Sequence, residues 1–164
     1  MAGQSDTNRV WDIVEKVGVG LLTTRCSGGL RARPVEPRLD REAGLIRIVT
    51  DVRGLKDNEI ERTPDVGLVV ISATDKAYLS ITARAVVTRD PAMAKIIWHK
   101  TDDMWWPGGP DDPNVRVIVL TPSLAELWDG PSNSAVAIFE MAKAKLTGDK
   151  PNLGENRKKT VPLT

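Results

Sequence analysis

Two basic side chains and a tight turn lie where they could bind a phosphate group. Arg33 belongs to an extended segment, and Lys56 follows Gly54 and Leu55 at the start of an amphipathic segment. Between the two cations, Thr50 closes a short apolar run. The N-terminus of a helix offers unpaired N–H groups and a partial positive charge, and Arg and Lys add full charges. The pattern therefore predicts a clamp for the phosphate of a phosphorylated cofactor.

The same cations could have a simpler role. Arg33 and Lys56 could form exposed ion pairs with nearby carboxylates. The candidates are Asp51, Asp57 and Glu59. Strand alternation puts Arg31 and Arg33 on one face and Arg38 on the other, unless the two prolines of this segment bend the strand.

Composition excludes several classes of function. The chain has 164 residues, which predicts one domain over 1–164 that is large enough to bury a hydrophobic core. Its net charge of only +1 argues against a nucleic-acid or lipid-surface binder. With one Cys and one His, neither an internal disulfide nor a Cys/His zinc site is expected. No apolar run approaches the ~20 residues that span a bilayer, and no signal peptide is evident, so we expect no membrane segment and a cytoplasmic protein.

The order of the predicted elements indicates the fold. Periodicity predicts helices over 7–17, 55–62 and 90–99, and strands over 19–25, 30–39, 45–50, 66–72, 78–89, 115–120 and 123–128. A Pro- and Gly-rich loop covers 104–114. Residues 139–147 could form a helix or a strand, with a short strand-like return favoured, and the polar tail from about residue 148 is expected to be loosely held. Many short strands with three helices predict a mainly β barrel with flanking helices.

Several segments, in this order, resemble a known family. They are RxRP at 31–34, VTDVRGLKDNEI at 49–60, WWPGGPDDPN at 105–114, ELWDGPS at 126–132 and KLTGDKPNLGEN at 145–156. The sequence resembles the pyridoxamine 5'-phosphate oxidase-like, FMN-binding split-barrel proteins, and most closely their general stress protein branch. The resemblance implies a six- or seven-stranded antiparallel split β-barrel. It also implies a homodimer with FMN at the subunit interface.

The resemblance assigns roles to individual residues. Arg33 and Lys56 would hold the FMN phosphate, while the backbone of Val49 and Thr50 would meet the polar edge of the isoalloxazine ring. Two tryptophans could line the site from the partner chain, although each has a structural alternative as a loop anchor or as interface core. The implied FMN-binding residues are Arg33, Pro34, Val49, Thr50, Gly54, Leu55, Lys56, Trp106 and Trp128.

Departures from the family pattern restrict the expected activity. The phosphate loop reads Gly-Leu-Lys where relatives often have Ser-Pro-Lys, and the chain lacks the C-terminal Arg/His substrate segment of true pyridoxamine-phosphate oxidases. That oxidase activity is therefore not expected. The favoured function is FMN-dependent oxidoreduction on a substrate that the sequence does not specify, with no catalytic residue singled out and no metal. The alternative is a non-catalytic protein that stores or senses FMN. A deazaflavin stays open as a third option, and haem is poorly supported because His99 is the single His.

Overall fold

The fold is an open antiparallel sheet with three flanking helices. The computed structural model describes residues 4–54, 56–129, 142, 143, 145, 148 and 157–163. Within these residues, eight strands form one sheet in the order β2-β1-β5-β6-β7-β4-β3, with β8 beside β7. The strands are β1 (Gly20–Cys26), β2 (Gly29–Val35), β3 (Arg38–Asp40), β4 (Leu45–Asp51), β5 (Asp65–Ser72), β6 (Ala77–Thr88), β7 (Val115–Asp129) and β8 (Arg157–Pro162). The predicted split-barrel architecture is confirmed, with one strand more than the upper number expected.

The helices cover the two faces of the sheet. They are α1 (Gln4–Val17), α2 (Lys56–Arg62) and α3 (Pro91–Ile97), followed by short 3₁₀ turns at Lys100–Met104 and Gly109–Asp111. The apolar face predicted for α1 is buried. Asp90 caps α3 by accepting a hydrogen bond from the Met93 N–H. None of the helices in the described part of the chain is long and apolar enough to cross a membrane.

Strand β7 organises the barrel. It pairs with β6 along nearly its whole length, with β4 through its first half and with β8 through its second half. The prediction of two strands, 115–120 and 123–128, is wrong because a bulge beside Thr82 and Ala83 accommodates Pro122, which lacks an N–H for the ladder. Continuous pairing along both edges of β7 then joins β4 and β8 to β6.

Two apolar clusters result from strand alternation. Inward-facing residues such as Ile48, Leu68, Ile81 and Leu120 form the main core, on which α1 packs. Residues on the opposite face of β4 and β7 form a smaller cluster with α3 and Trp106. The smaller cluster supports the loop that follows α3.

Three further sequence predictions need correction. Residues 157–162 are not a loose tail, because they form β8, and Val161 is fully buried. The strand expected over 30–39 is broken between β2 and β3, where Pro37 removes a backbone donor. Of the strand-like return expected at 139–147, the described residues 142, 143 and 145 are helical.

Candidate functional site

A cleft of about 480 Å³ opens at the end of β4. The β2–β3 connection forms one wall and the loop after α3 forms the other. Four of the residues predicted for the site line this cleft: Pro34, Val49, Thr50 and Trp106. Thr50 is buried and Val49 half-buried, because alternation turns these neighbours toward opposite faces of β4. The end of β4, the end of β2 at Pro34 and the loop that carries Trp106 therefore meet at this cleft.

Trp106 is fixed at the back of the cleft. Its Nε1–H donates to the Asp51 carboxylate at 3.1 Å, and its ring lies 5.9 Å from that of Trp98 at an interplanar angle of 57°. The side chain is only 8% exposed. Trp105, next to it, is 73% exposed. The loop therefore anchors one tryptophan and presents the other at the mouth of the cleft.

Asp51 connects the strand end to this loop. Its carboxylate accepts hydrogen bonds from the Arg53 backbone N–H at 2.7 Å and from Arg53 Nε at 2.8 Å, in addition to the Trp106 bond. The Arg53 side chain, the backbone N–H and Trp106 together lower the pKa of Asp51 to about 2. Asp51 is consequently an ionised acceptor at neutral pH.

A buried ion pair closes the other side of the cleft. Arg38 is 9% exposed and donates to Asp102 Oδ1 at 2.7 Å and to the Ile97 carbonyl at 2.9 Å. The second Asp102 oxygen accepts the His99 backbone N–H at 2.9 Å. Within the described residues, Arg38 Nε has no hydrogen-bond partner. The segment is interrupted at Glu36 and Pro37, between β2 and β3, and Arg38 at the start of β3 is buried.

The carboxylates of the cleft are all committed to arginines. Glu36 contacts Arg38 at 3.3 Å, Asp102 contacts the same guanidinium, and Asp51 contacts Arg53. Among the described residues that line the cleft there is no His, Cys, Tyr or Lys. The site therefore presents apolar walls, a hydroxyl and paired charges rather than a free acid or base.

Arg33 lies outside this cleft and faces α2. Its Nη1 donates to Thr24 Oγ1 and its Nη2 to Glu59 Oε1, both at 2.8 Å, while the Thr24 hydroxyl donates to Glu59 Oε2 at 2.6 Å. Arg33 is the main cause of the lowered pKa of Glu59. The carboxylate pairing left open by the sequence is thus present, with Glu59 as the partner. Phosphate binding by Arg33 stays a prediction.

The other predicted residues divide between the turn after β4 and the far end of β7. Gly54 belongs to that turn, and its N–H donates to the Asp51 carbonyl at 3.1 Å. Lys56 is the first residue of α2, but its side chain and the whole of Leu55 lie outside the described residues. Trp128 lies roughly 40 Å of strand away from the cleft end of β7, half-buried, with Lys158 Nζ 5.4 Å from its ring centroid.

Sequence reasoning missed most of the charged residues of the cleft. Glu36, Asp51, Arg53 and Asp102 line it without having been predicted there, and Arg38, whose face on the strand was left open, lines it as well. The Asp-x-Arg spacing directly after Thr50 was an available signal, because such neighbours can pair across a turn. The pair between Arg38 and Asp102 had no such signal, since the two residues are far apart in the chain.

Comparison with known proteins indicates the family of this chain. A family model described as "Pyridoxamine 5'-phosphate oxidase like" matches residues 5–152. None of the curated proteins matches the chain. Among solved structures, a Jannaschia sp. CCS1 protein, provisionally named general stress protein 26, is 26% identical with a TM-score of 0.78, covering 98% of this chain and 99% of its own.

Two more distant structures share the fold. The general stress FMN/FAD binding protein of Xanthomonas citri is 21% identical with a TM-score of 0.70, covering 80% of this chain and 93% of its own. General stress protein 26 of Bacillus anthracis str. Sterne is 19% identical with a TM-score of 0.66, covering 74% and 92%. Since the family model spans most of the sequence and the open antiparallel sheet agrees with it, the chain belongs to the pyridoxamine 5'-phosphate oxidase-like family.

Proposed function

We propose that this protein is an FMN-binding flavoprotein that holds the isoalloxazine ring in the cleft at the end of β4. The observation that carries the proposal is the meeting of Pro34, Val49, Thr50 and Trp106 around one opening of about 480 Å³. A volume of this size lies within the usual range of roughly 300–1,000 Å³ for small-molecule sites. A protein of the same fold, from Xanthomonas citri, is named as an FMN/FAD binding protein.

The walls of the cleft fit a flat, partly polar ring. Pro34, Val49 and the exposed Trp105 offer apolar surface, and the Thr50 hydroxyl offers a hydrogen bond. Arg38 lines the cleft as well, and its buried Nε–H has no hydrogen-bond partner among the described residues. Because the loop is anchored through Trp106 and Asp51, little ordering would be needed on binding.

Arg33 and Lys56 are proposed to hold the phosphate. A guanidinium has five N–H donors, and Arg33 uses two of them for Thr24 and Glu59, so three remain. Its side chain is 19% exposed, which leaves room for an approaching anion. Gly54 in the preceding turn, with Leu55 and Lys56, would bring the start of α2 to the same phosphate. Glu59 would then orient Arg33 and leave the other donors of its guanidinium group to the phosphate.

A second subunit would complete the site. Ile71, Tyr78 and Trp128 are directly paired across β5, β6 and β7, so they share the outer face of the sheet. Ile71 and Tyr78 are 51% and 54% exposed. An apolar row of this kind on an exposed sheet face suits a homodimer interface. Trp128 is too far from the cleft of its own chain, so it would reach flavin only from the partner subunit.

The chemistry proposed is electron or hydride transfer by the flavin itself. Bound FMN would supply that chemistry, and this chain would bind it, orient it and exclude water. The Asp51 carboxylate cannot readily donate a proton because its pKa is lowered to about 2, and the Asp102 carboxylate is paired with Arg38. This observation also favours the second candidate, a non-catalytic FMN-binding stress protein, since both share every cofactor contact.

Titration with FMN and with riboflavin tests the binding proposal. The purified protein should take up FMN and show bound-flavin absorbance, and Arg33→Gln should weaken FMN about 10-fold or more, the equivalent of one charge-assisted hydrogen bond. Riboflavin lacks the phosphate, so its affinity should not change in this variant. Arg84→Gln removes a distant exposed charge and serves as the control. Equal loss of both ligands, or no loss of either, would contradict the clamp.

Steady-state oxidation of NADH or NADPH separates the two candidate functions. Turnover by the FMN-loaded protein supports the oxidoreductase, whereas tight FMN binding without turnover supports storage or sensing.

Sedimentation velocity of the wild type and of Tyr78→Asp tests the second subunit. A wild-type dimer that becomes monomeric in the variant supports the proposed interface, and a monomeric wild type refutes it.

A further inference from the structure

A second cleft, of about 420 Å³, lies beyond the start of α2 at the β1–β2 hairpin. We propose that this cleft binds a phosphoryl group through Arg31 and Arg62, with Arg25 at its rim. Neutral hydrogen-bonding side chains at Ser27 and Asn58 line it as well. We name it the hairpin cleft.

The three arginines of the hairpin cleft differ from most others in the chain. Seven other arginines form ion pairs with carboxylates. In the part of the chain that the structure describes, the side chains of Arg25, Arg31 and Arg62 form neither a hydrogen bond nor an ion pair, and all three residues are exposed. Arg31 pairs with Thr24 across the hairpin and so lies on the face that α2 covers, whereas Arg25 lies on the other face, at the rim. Cations that line one opening without a free counter-charge repel one another. An oxyanion would relieve that repulsion.

The single carboxylate of the hairpin cleft does not neutralise them. Glu59 is 8% exposed, and its two oxygens are occupied by Arg33 and by the Thr24 hydroxyl. Arg31 acts on Glu59 only through its charge, as the last of the causes that lower the pKa of that carboxyl. Arg31 and Arg62, with Arg25 at the rim, line a cleft whose one glutamate is already paired, in a protein whose net charge is only +1. The positive charge is therefore local.

The position of the hairpin cleft indicates the class of ligand. Arg31 and Arg33 lie two residues apart on one face of β2, about 7 Å along the strand. Asn58, Glu59 and Arg62 come from α2, which begins at Lys56 of the proposed phosphate clamp. A second phosphoryl group would thus lie next to the first. It could belong to a dinucleotide flavin, whose two phosphates are linked, or to a separate phosphorylated molecule. The dinucleotide source rests on the proposed function, whereas the separate molecule does not.

Calorimetric titration with inorganic pyrophosphate tests the hairpin cleft without any flavin. We expect the wild type to bind pyrophosphate and the double variant Arg31→Gln, Arg62→Gln to bind it at least about 10-fold more weakly. Arg84→Gln is the matched control, because it removes an exposed arginine of β6. Alkylation of Cys26, the single cysteine, gives a local readout because this thiol lines the same cleft, and bound pyrophosphate should slow it.

Affinities for FMN and FAD then identify the source of the phosphoryl group. If it belongs to a dinucleotide flavin, the double variant weakens FAD about 10-fold and leaves FMN unchanged. If it belongs to a separate molecule, pyrophosphate binds equally well to the FMN-loaded protein, and FAD is unaffected. The proposal is overturned if the wild type does not bind pyrophosphate, or if the double variant binds it as Arg84→Gln does. Failure to bind FMN would sink the proposed function while leaving the pyrophosphate result intact.

Discussion

Replacing Asp51 by Asn tests whether one carboxylate anchors the cleft. Asp51 Oδ1 accepts the Arg53 backbone N–H at 2.7 Å and Nε at 2.8 Å, and Oδ2 accepts Trp106 Nε1 at 3.1 Å. The amide of Asn presents one oxygen where the carboxylate presents two, and it carries no charge. The variant should therefore be less stable at neutral pH.

The magnitude follows from the pKa of Asp51, which is lowered from 3.8 to about 2. At 1.36 kcal/mol per unit, the full shift corresponds to about 2.4 kcal/mol of unfolding free energy. The side chain is 24% exposed and Arg53 is 67% exposed, so solvent screening reduces this to about 1.5 kcal/mol. For a chain of this size that is a loss of roughly 3–6 °C in Tm.

The pH dependence gives the sharper test. A depressed pKa means that the folded state favours the ionised carboxylate, so the stabilisation is complete above the ordinary pKa of 3.8 and disappears as the pH falls toward 2. We expect the stability difference between wild type and Asp51→Asn to fall to about half by pH 3. Urea unfolding at several pH values between neutrality and pH 3 measures it. Asp65→Asn, in an exposed pair with Arg84, is the control and should change little. A difference that stays constant over this range, or one no larger than the control, would refute the reasoning.

Two further substitutions test the buried parts of the fold. Asp102→Ala leaves the Arg38 guanidinium buried without its carboxylate, so we expect a loss of about 3–5 kcal/mol in chemical denaturation, and a loss below about 1 kcal/mol would contradict the buried pair. Val161→Ala should cost about 2 kcal/mol because Val161 is fully buried opposite Ala125, whereas Thr160→Ala on the exposed side of β8 should be near neutral. Equal effects of the two β8 substitutions would mean that this strand does not pack on the core.

The site was only partly predictable because its residues arrive from distant segments. Val49 and Thr50 could be placed at a strand end from the apolar run that precedes them, and the Pro- and Gly-rich run marked the loop that carries Trp106. The sequence did not indicate whether Arg33 would contact Glu59 or line the cleft. That choice depends on how α2 packs against β1 and β6, which no local pattern encodes.

Local chemistry determined most elements of this protein, including the amphipathic α1, the alternating β6 and α3, which Asp90 caps. These features depend on spacing within a few residues, where periodicity and turn chemistry act directly. Tertiary structure alone decided that Pro122 could lie within one long strand and that residues 157–162 would pair with it. It also turned Arg38 inward to meet Asp102. Pairing partners and buried charges are set by contacts between residues far apart in the chain, so their energies appear only once the sheet has assembled.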